Sequence, residues 1–257
     1  MVSGESGWTA HLLTLFPGMF PGPLGVGLSG SAMSRGLWTL KTVDIRTFAG
    51  DKHGSVDGAP YGGGSGMVLR SDVVAGALDS ILDDCSGADK ASVARVCLTP
   101  RGLPVSQKDI RRFVSGSGMV LLCGRFEGID QRVIEARDLE EISLGDIVLS
   151  SGEPAALALI DACVRLLPGV MGNEEGLVTE SFEGELLEHP HYTRPRMWEG
   201  LEVPEVLTSG DHKKIDSWRR REAEIATRER RPDMWRRYKS VDSDGQLRVG
   251  ELEGKSD

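Results

Sequence analysis

The 257-residue sequence lacks the features that mark membrane-spanning, secreted and zinc-binding proteins. It contains no apolar run of the about 18 residues that a membrane-spanning helix needs. Residues 1–10 have neither a basic start nor an apolar core, so they do not follow the pattern of a signal peptide. The four cysteines, Cys85, Cys97, Cys123 and Cys163, are scattered and form no C-x-x-C pair. These absences predict a reduced, cytoplasmic protein without structural zinc.

The chain as a whole also lacks the positive charge that is typical of nucleic-acid-binding proteins, since its net charge is −9. The average conceals a basic segment at residues 212–239, which holds eleven Lys and Arg against five Asp and Glu. Trp218, Trp235 and Tyr238 are interleaved with these charges. Residues 241–257 are acidic and almost without apolar side chains, a composition that predicts a disordered tail. We therefore expect a basic surface to persist locally in an acidic protein.

Strand-like and helix-like segments alternate along the first two thirds of the chain. Apolar runs predict strands at residues 12–16, 95–99 and 119–123, and a further strand within 137–150. Helical spacing of apolar residues, proline starts and candidate caps at Ser71 and Ser106 predict helices at 70–82, 106–114, 130–136 and 154–167. The alternation predicts an α/β fold with a mostly parallel sheet.

The pattern changes after Gly172, where periodicity is lost until a basic amphipathic helix at residues 211–229. We therefore divide the chain into two domains with a linker and a tail. These parts are an α/β domain at 1–171, an interdomain linker at 172–185, a small, mainly helical domain at 186–240, and the acidic tail at 241–257.

Three glycine-bearing loops follow predicted strands, at residues 98–102, 124–128 and 150–153. Ligands of open α/β sheets bind beyond the carboxyl ends of the strands, so these loops are candidates to surround a small molecule. For any one loop, glycine as a simple strand terminator is the favoured alternative. The glycine cluster at 60–67 is either a linker or a substrate loop, and the second reading is slightly preferred. No G-x-G-x-x-G or P-loop motif is present, and His189 and His191 are better explained as surface histidines than as metal ligands.

Taken in order, nine segments resemble the bacterial tRNA (guanine-N1)-methyltransferases, the TrmD family, from about residue 10 to 235. The segments are Leu15-Phe16-Pro17 with Met19-Phe20, Pro60-Tyr61-Gly62-Gly63-Gly64, Leu98-Thr99-Pro100, Gly124-Arg125-Phe126-Glu127-Gly128-Ile129-Asp130, Gly145-Asp146-Ile147-Val148-Leu149-Ser150, Arg165-Leu166-Leu167-Pro168-Gly169-Val170, Pro190-His191-Tyr192-Thr193-Arg194-Pro195, Val203-Pro204-Glu205-Val206-Leu207 and Ser209-Gly210-Asp211-His212. Each segment is weak alone, and their order and spacing make the resemblance specific.

The resemblance implies a SPOUT-type α/β fold whose parallel sheet carries a carboxyl-terminal trefoil knot, followed by the small helical domain. It implies a homodimer that binds S-adenosylmethionine in the knot loops. The substrate would be tRNA, methylated at N1 of the guanosine immediately 3′ of the anticodon (position 37). Family members are associated with Mg²⁺, although the sequence offers no independent set of metal ligands.

The resemblance also implies roles for particular residues. Glu180 would act as the general base that removes the N1 proton, and Arg165 would stabilise charge on guanine O6. The residues implied in donor binding are Leu98, Thr99, Pro100, Gly124, Phe126, Glu127, Gly128, Leu144, Gly145, Ile147, Leu149 and Gly152. Those expected to contact tRNA are His191, Tyr192, Arg194, Lys213, Lys214, Arg219, Arg220 and Arg221. Without the resemblance, Arg165 and the basic run would be read as solvated helix faces.

Three departures from the family pattern affect this interpretation. Glu180 stands where aspartate is usual and is one methylene longer. Ser151 replaces a glycine and Pro154 occupies a shifted position in the segment that follows the knot strand, while Gly58 replaces one member of an acidic pair. A non-catalytic relative that binds tRNA and the donor is therefore an alternative. A related enzyme that methylates ribose is disfavoured by the 190–195 motif and the interdomain carboxylate.

Overall fold

The protein is described by a computed structural model that covers residues 7–85, 87–172 and 180–240. Contacts within the chain divide it into two compact units, Met1–Gly172 and Asn173–Asp257. The predicted tail at 241–257 and residues 173–179 of the predicted linker lie outside the described residues.

The first unit is built on a five-stranded parallel sheet, which confirms the predicted α/β class. The strands are β1 (Trp8–Thr14), β2 (Trp38–Asp44), β5 (Ala94–Pro104), β6 (Gly118–Cys123) and β7 (Glu140–Ser143), in the spatial order β2-β1-β6-β5-β7. Two short strands, β3 (Asp57–Gly58) and β4 (Val68–Leu69), pair with each other in antiparallel fashion outside this sheet. All six residues of β6 are buried, as expected for a central strand that is covered on both faces.

Helices cover both faces of the sheet. They are α1 (Gly27–Ser34), α2 (Ser71–Asp84), α3 (Gly87–Ser92), α4 (Gln107–Val114), α5 (Gln131–Ala136) and α6 (Glu153–Val164). Alternate side chains of a strand point to opposite faces, so β6 divides its residues between two cores. Met119 and Leu121 pack with the buried side chains of α4 and α6. Val120 and Leu122 pack with those of α2 and α5.

Local sequence signals set several helix boundaries correctly. Ser106 caps α4 as predicted, because its hydroxyl accepts from the Asp109 backbone while the Asp109 carboxylate accepts from the Ser106 backbone. Ser71 is not a cap, however. It is the first residue of α2, and Arg70 occupies the cap position without a side-chain hydrogen bond to the helix end. The prediction of Ser71 as the N-cap is therefore wrong.

Tertiary pairing moves other predicted boundaries. β1 occupies residues 8–14 rather than 12–16, because its first residues pair with β2 and β6 on either side. β5 does not end at Pro100, since pairing with β7 resumes at Leu103 after a shift of register. α6 stops at Val164, three residues short of the predicted end. Strand β2 contains no apolar run, so the sequence analysis did not predict it.

The described residues of the second unit include two α-helices and a hairpin. The helices are α7 (His212–Arg230), close to the predicted 211–229, and α8 (Pro232–Ser240). The hairpin joins β8 (Met197–Trp198) to β9 (Leu201–Glu202). The buried Thr227 hydroxyl of α7 donates to the Ala223 carbonyl and accepts from the Leu187 backbone at 2.8 Å, which ties the segment before the hairpin to this helix. Among the described residues, no helix is both long and apolar enough to cross a bilayer.

Candidate functional site

The first unit contains a cavity of about 290 Å³ at the carboxyl ends of β6 and β7, beside the part of β5 where its pairing with β7 is interrupted between Leu98 and Leu103. Three segments form it, together with residues beneath them: the irregular part of β5 at residues 98–101 and the loops at 124–128 and 147–152. This is the edge of the sheet at which parallel α/β proteins bind ligands. The three glycine-bearing loops of the sequence therefore lie around one cavity, although they are separated by more than twenty residues along the chain.

Close backbone packing at Gly152 joins two of these loops. The Gly152 N–H donates to the Gly124 carbonyl at 2.8 Å. A Cβ at position 152 would lie 2.8 Å from the Cys123 Cα and 2.9 Å from the Gly124 nitrogen, closer than real Cβ atoms approach backbone. Glycine is thus required at 152 for contact and not for its dihedral angle, since its φ of −77° is open to other residues. Ser151, the position where the chain departs from the TrmD pattern, is a half-buried lining residue.

The loop after β6 presents its side chains to the cavity through an unusual backbone conformation. Phe126 has a φ of 59°, in the left-handed region that residues other than glycine rarely adopt. Its ring is half exposed at the cavity. The Glu127 backbone N–H donates to the Met67 carbonyl at 2.9 Å, and the Glu127 side chain covers Gly66, where a Cβ would clash with it. The end of the glycine cluster, at Gly66 and Met67, therefore packs on the cavity loop.

Charged side chains at the cavity differ in how they are neutralised. The Arg101 guanidinium lies 3.0 Å from the Glu141 carboxylate and also donates to Gln131. Arg125 instead lies over two aromatic rings, 4.7 Å from the centroid of Phe16 and 5.8 Å from that of Phe126. The cavity thus combines apolar lining residues with the positively charged Arg101 and Arg125 and the negatively charged Glu127.

The cavity does not contain a reactive thiol. Burial raises the pKa of Cys97, a lining residue, to about 12, and it raises that of Cys163 to about 12. Burial also holds the pKa of Cys123 well above its ordinary value. These thiols are protonated at neutral pH and pack as small apolar groups.

The structure brings most of the expected donor-binding residues together. Eleven of them line the cavity: Leu98, Thr99, Pro100, Gly124, Phe126, Glu127, Gly128, Leu144, Ile147, Leu149 and Gly152. Gly145 is not a lining residue, although its backbone exchanges hydrogen bonds with the lining residue Ser143. Sequence reasoning missed Arg101 and Arg125, which stand inside two of the quoted loops. It also missed apolar lining residues such as Ile142 and Ala155, which no local pattern distinguishes from ordinary core.

The two expected catalytic residues belong to different units. Arg165 directly follows α6 in the first unit, and its backbone N–H donates to the Asp161 carbonyl at 3.1 Å. Glu180 belongs to the second unit, where it lines a cavity of about 420 Å³. This second cavity is formed by the segment 186–189 and by α7 and α8, and it includes Arg219 and Arg220.

The expected tRNA-contacting cations of α7 lie on its exposed side. Lys214 pairs with Asp211 at 3.3 Å, and Arg219 with Asp216 at 3.7 Å. Arg220 donates to Glu224 and to the Tyr238 hydroxyl. Within the described part of the chain, Lys213, Arg221 and Arg194 have no carboxylate partner. Ion pairs this exposed are worth about 0–1 kcal/mol, so the paired cations remain available to an anionic ligand.

His191 and Tyr192 lie beside the same helix. The rings of His189 and His191 are 4.8 Å apart, and Tyr192 lies 6.2 Å from the ring of the buried Trp218 on α7. The His191 Nε2 is 3.0 Å from the Glu188 carboxylate. Trp218 therefore anchors the aromatic segment to the basic helix, as core rather than as an exposed stacking surface.

No group of three or more His, Cys, Asp and Glu in the described residues is arranged to hold a metal ion. The association with Mg²⁺ that the resemblance implies gains no support from the structure.

Comparison with known proteins agrees with the motifs. The family model of tRNA (guanine-1)-methyltransferase TrmD matches residues 9–237. The chain is 57% identical over 229 residues to the tRNA (guanine-N(1)-)-methyltransferase of Brucella ovis. These aligned residues make up 89% of this chain and 92% of the relative. Relatives of the same name from Brucella melitensis biotype 1 and Brucella suis are also 57% identical, with 92% and 91% of their lengths covered. The chain belongs to the TrmD family.

Proposed function

We propose that this protein transfers a methyl group from S-adenosylmethionine to N1 of the guanosine immediately 3′ of the anticodon, position 37, in tRNA. One observation carries the proposal: eleven of the residues at which the TrmD resemblance expects the donor line one cavity at the carboxyl edge of a parallel sheet. Its relatives are named for methylation of guanine N1 in tRNA. We place the reaction in the cytoplasm.

The cavity suits the donor chemically. Small-molecule sites are largely apolar with a few placed polar groups, and this one has Leu98, Ile142 and Leu144 among its apolar walls. The exposed backbone of its glycine loops supplies N–H and C=O groups for an adenine ring. S-Adenosylmethionine supplies a methyl group that its sulfonium has already activated, so the protein must provide alignment and a base.

Guanine N1 is protonated at neutral pH and becomes a competent nucleophile when that proton leaves. In this proposal the Glu180 carboxylate accepts that proton as the general base. Loss of the proton places negative charge on guanine O6, and the Arg165 guanidinium stabilises that charge. Glu180 is one methylene longer than the usual aspartate, and a shift of its backbone by about an ångström would offset this difference in reach.

We infer further that the first unit is a SPOUT fold with a trefoil knot. Support comes from the path after β7, an edge strand of the sheet. The chain returns from there across β5 to the end of β6, where Gly152 donates to Gly124. In this scheme residues 1–171 form the donor domain, 172–185 the linker and 186–240 the tRNA-binding domain.

We also propose that the protein is a homodimer. Met19, Val26 and Leu28 expose apolar side chains close together in the sequence of the first unit, and their exposed fractions reach 68% at Val26. Contiguous exposed apolar patches mark interaction surfaces, and the proposal requires these side chains to form one.

Contact with tRNA is assigned to α7 and the segment before it. Lys213, Lys214, Arg219 and Arg220 would bind phosphates by charge, without reading the sequence. His191, Tyr192 and Arg194 would contact the anticodon branch. The target guanine must leave its stack to meet the donor, as in other enzymes that modify bases.

Methyl transfer from labelled S-adenosylmethionine to two tRNA transcripts tests the function. One transcript carries guanosine 3′ of the anticodon and the other adenosine. We expect labelling of the first alone, with the methyl group at N1. Tight donor binding without transfer to either transcript would favour the non-catalytic relative.

Exchange of Glu180 tests its assignment as the base. Glu180→Gln removes the proton acceptor at nearly constant volume, so we expect single-turnover methyl transfer to fall at least about 100-fold while donor affinity is unchanged. Glu180→Asp, the usual family residue, is the matched control and should retain activity. Equal rates for Glu180→Gln and wild type would remove Glu180 from the mechanism.

A further inference from the structure

Glu153, the first residue of α6, is an acidic side chain buried in the first unit. It is only 1% exposed, and it does not line the cavity of that unit. The Thr14 hydroxyl donates to its Oε1 at 2.5 Å. Its Oε2 is buried and has no hydrogen-bond partner among the described residues. A buried polar atom without a partner lowers the free energy of unfolding, so stability does not explain the acid at this position.

The hydrogen bond between Thr14 and Glu153 joins the end of β1 to the beginning of α6. Thr14 is the last residue of β1 and is fully buried. β1 and β6 are neighbours in the sheet. One residue before Glu153, the Gly152 N–H donates to the Gly124 carbonyl, just beyond the end of β6. The segment that enters α6 is therefore attached to two neighbouring strands in succession, to β6 through Gly152 and to β1 through Glu153.

The same hydroxyl fixes the turn that follows β1. The Phe16 backbone N–H donates to the Thr14 hydroxyl at 2.8 Å, while that hydroxyl donates to Glu153. A hydroxyl with both a donor and an acceptor partner is fixed in its rotation. The Phe16 ring lies 4.7 Å from the guanidinium carbon of Arg125, a lining residue of the cavity. Glu153, Thr14 and Phe16 therefore form a buried connection between two sides of the cavity, the segment before α6 and the loop after β6.

We propose that Glu153 and Thr14 are positioning residues for methyl transfer, which hold the segment 147–152 and the turn after β1 in the relative position at which the cavity binds its ligand. This inference rests on the proposed function, which makes S-adenosylmethionine that ligand. Neither side chain touches the ligand in this scheme, since neither lines the cavity. Both act through the backbone, Glu153 through the first turn of α6 and Thr14 through the N–H of Phe16.

The test replaces both polar partners by apolar side chains of similar shape. Thr14→Val removes the hydroxyl, Glu153→Met removes the carboxyl group, and the double variant removes both. Thr14→Ser keeps the hydroxyl and is the conservative rescue. Thr227→Val is the matched control, because Thr227 is also fully buried and its hydroxyl also accepts from a backbone N–H, but it lies on α7 in the second unit.

Two quantities are measured for each variant. Thermal unfolding gives the Tm, and titration calorimetry gives the affinity for S-adenosylmethionine at a temperature at which every variant is folded. Thr14→Val leaves the Glu153 carboxyl group buried without any partner, so we expect its Tm to fall by roughly 4–10 °C. In the double variant the buried carboxyl group is absent as well. The apolar pair should therefore restore the Tm to within about 4 °C of wild type.

Donor affinity should not return with stability. We expect it to be about tenfold lower in Thr14→Val and in the double variant, because both lack the hydrogen bonds to the Phe16 N–H and to α6. Thr14→Ser should lie within about twofold of wild type, since its hydroxyl can form the same two bonds. Thr227→Val should bind the donor as wild type does.

Recovery of donor affinity together with the Tm in the double variant would overturn the inference, because the two hydrogen bonds would then serve stability alone. Wild-type affinity in Thr14→Val would overturn it too, as would equal losses of affinity in Thr14→Ser and Thr14→Val. The outcome is separate from that of the proposed function, since donor titration does not require methyl transfer. A wild type that binds S-adenosylmethionine with this dependence on Thr14 but does not methylate tRNA would refute the function and leave this inference intact.

Discussion

Substitution of Gly152 by alanine is the most direct test of how the cavity of the first unit is closed. The new Cβ would lie 2.8 Å from the Cys123 Cα and 2.9 Å from the Gly124 nitrogen. Carbon atoms pack best at about 3.5–4.0 Å, so the loop that ends at Gly152 must move away from the end of β6 by roughly 0.7 Å or more. That movement stretches the 2.8 Å hydrogen bond from Gly152 to the Gly124 carbonyl.

The cost can be worked out from these contacts. Overpacking of this kind destabilises by about 1–3 kcal/mol, and loss of the hydrogen bond adds about 1 kcal/mol. Alanine in place of glycine also stabilises the folded protein by about 0.4–1 kcal/mol, because it lowers the conformational entropy of the unfolded chain and because alanine adopts a φ of −77° without strain. We expect a net loss of about 1–3.5 kcal/mol in the free energy of unfolding, and weaker donor binding because the displaced loop lines the cavity.

Urea unfolding and donor titration measure both effects. Gly50→Ala is the matched control, because a Cβ there meets no atom within 4 Å and the position is exposed. It should lie within about 0.5 kcal/mol of wild type. If Gly152→Ala matched this control in stability and bound the donor normally, the contact between the two loops would not be what closes the cavity.

Two further predictions concern pH and salt. Burial, and then the charge of Lys41, lower the pKa of His11 below its usual 6.5, against a smaller opposing effect of Asp84. As pH falls, the unfolded chain therefore binds a proton at His11 before the folded chain does. The free energy of unfolding should fall as pH drops below about 6.5, by at most about 1.4 kcal/mol per pH unit. Denaturant unfolding from pH 8 to 5 should show a flatter profile for His11→Gln, and an unchanged slope would contradict the assignment. Lys213→Gln with Arg219→Gln should weaken tRNA binding and reduce its salt slope by roughly one per lost phosphate contact, with donor affinity unchanged. An unaltered slope would mean that these two side chains do not contact phosphates.

Local sequence predicted those parts of the fold where local energetics decide the outcome. The apolar run of β6 was found because a strand covered on both faces must be apolar throughout. The capping box of Ser106 and Asp109 was half recognised from the serine alone, since cap geometry depends on neighbouring residues. The same logic failed at Ser71, where Arg70 takes the cap position.

Strand ends followed tertiary pairing instead. Pro100 is a poor strand residue, yet β5 continues past it because a register shift leaves Pro100 outside the ladder and pairing with β7 resumes at Leu103. β2 has the mixed exposure of an edge strand and carries no apolar run, so no local pattern marked it. These boundaries depend on which strand lies alongside, and a single segment does not contain that information.

For the site, the sequence by itself determined the loop chemistry and, through the order of its motifs, the family. The tertiary structure decided which segments meet: residues 98–101, 124–128 and 147–152 converge because β6 and β7 end beside the point where the pairing of β5 with β7 is interrupted. It also decided that Gly152 must be glycine for contact, and that Arg125 rests on Phe16 from a loop more than one hundred residues earlier in the chain. Such contacts arise from packing between segments that are far apart in the sequence, and a sequence pattern does not specify which distant segments lie close together in space.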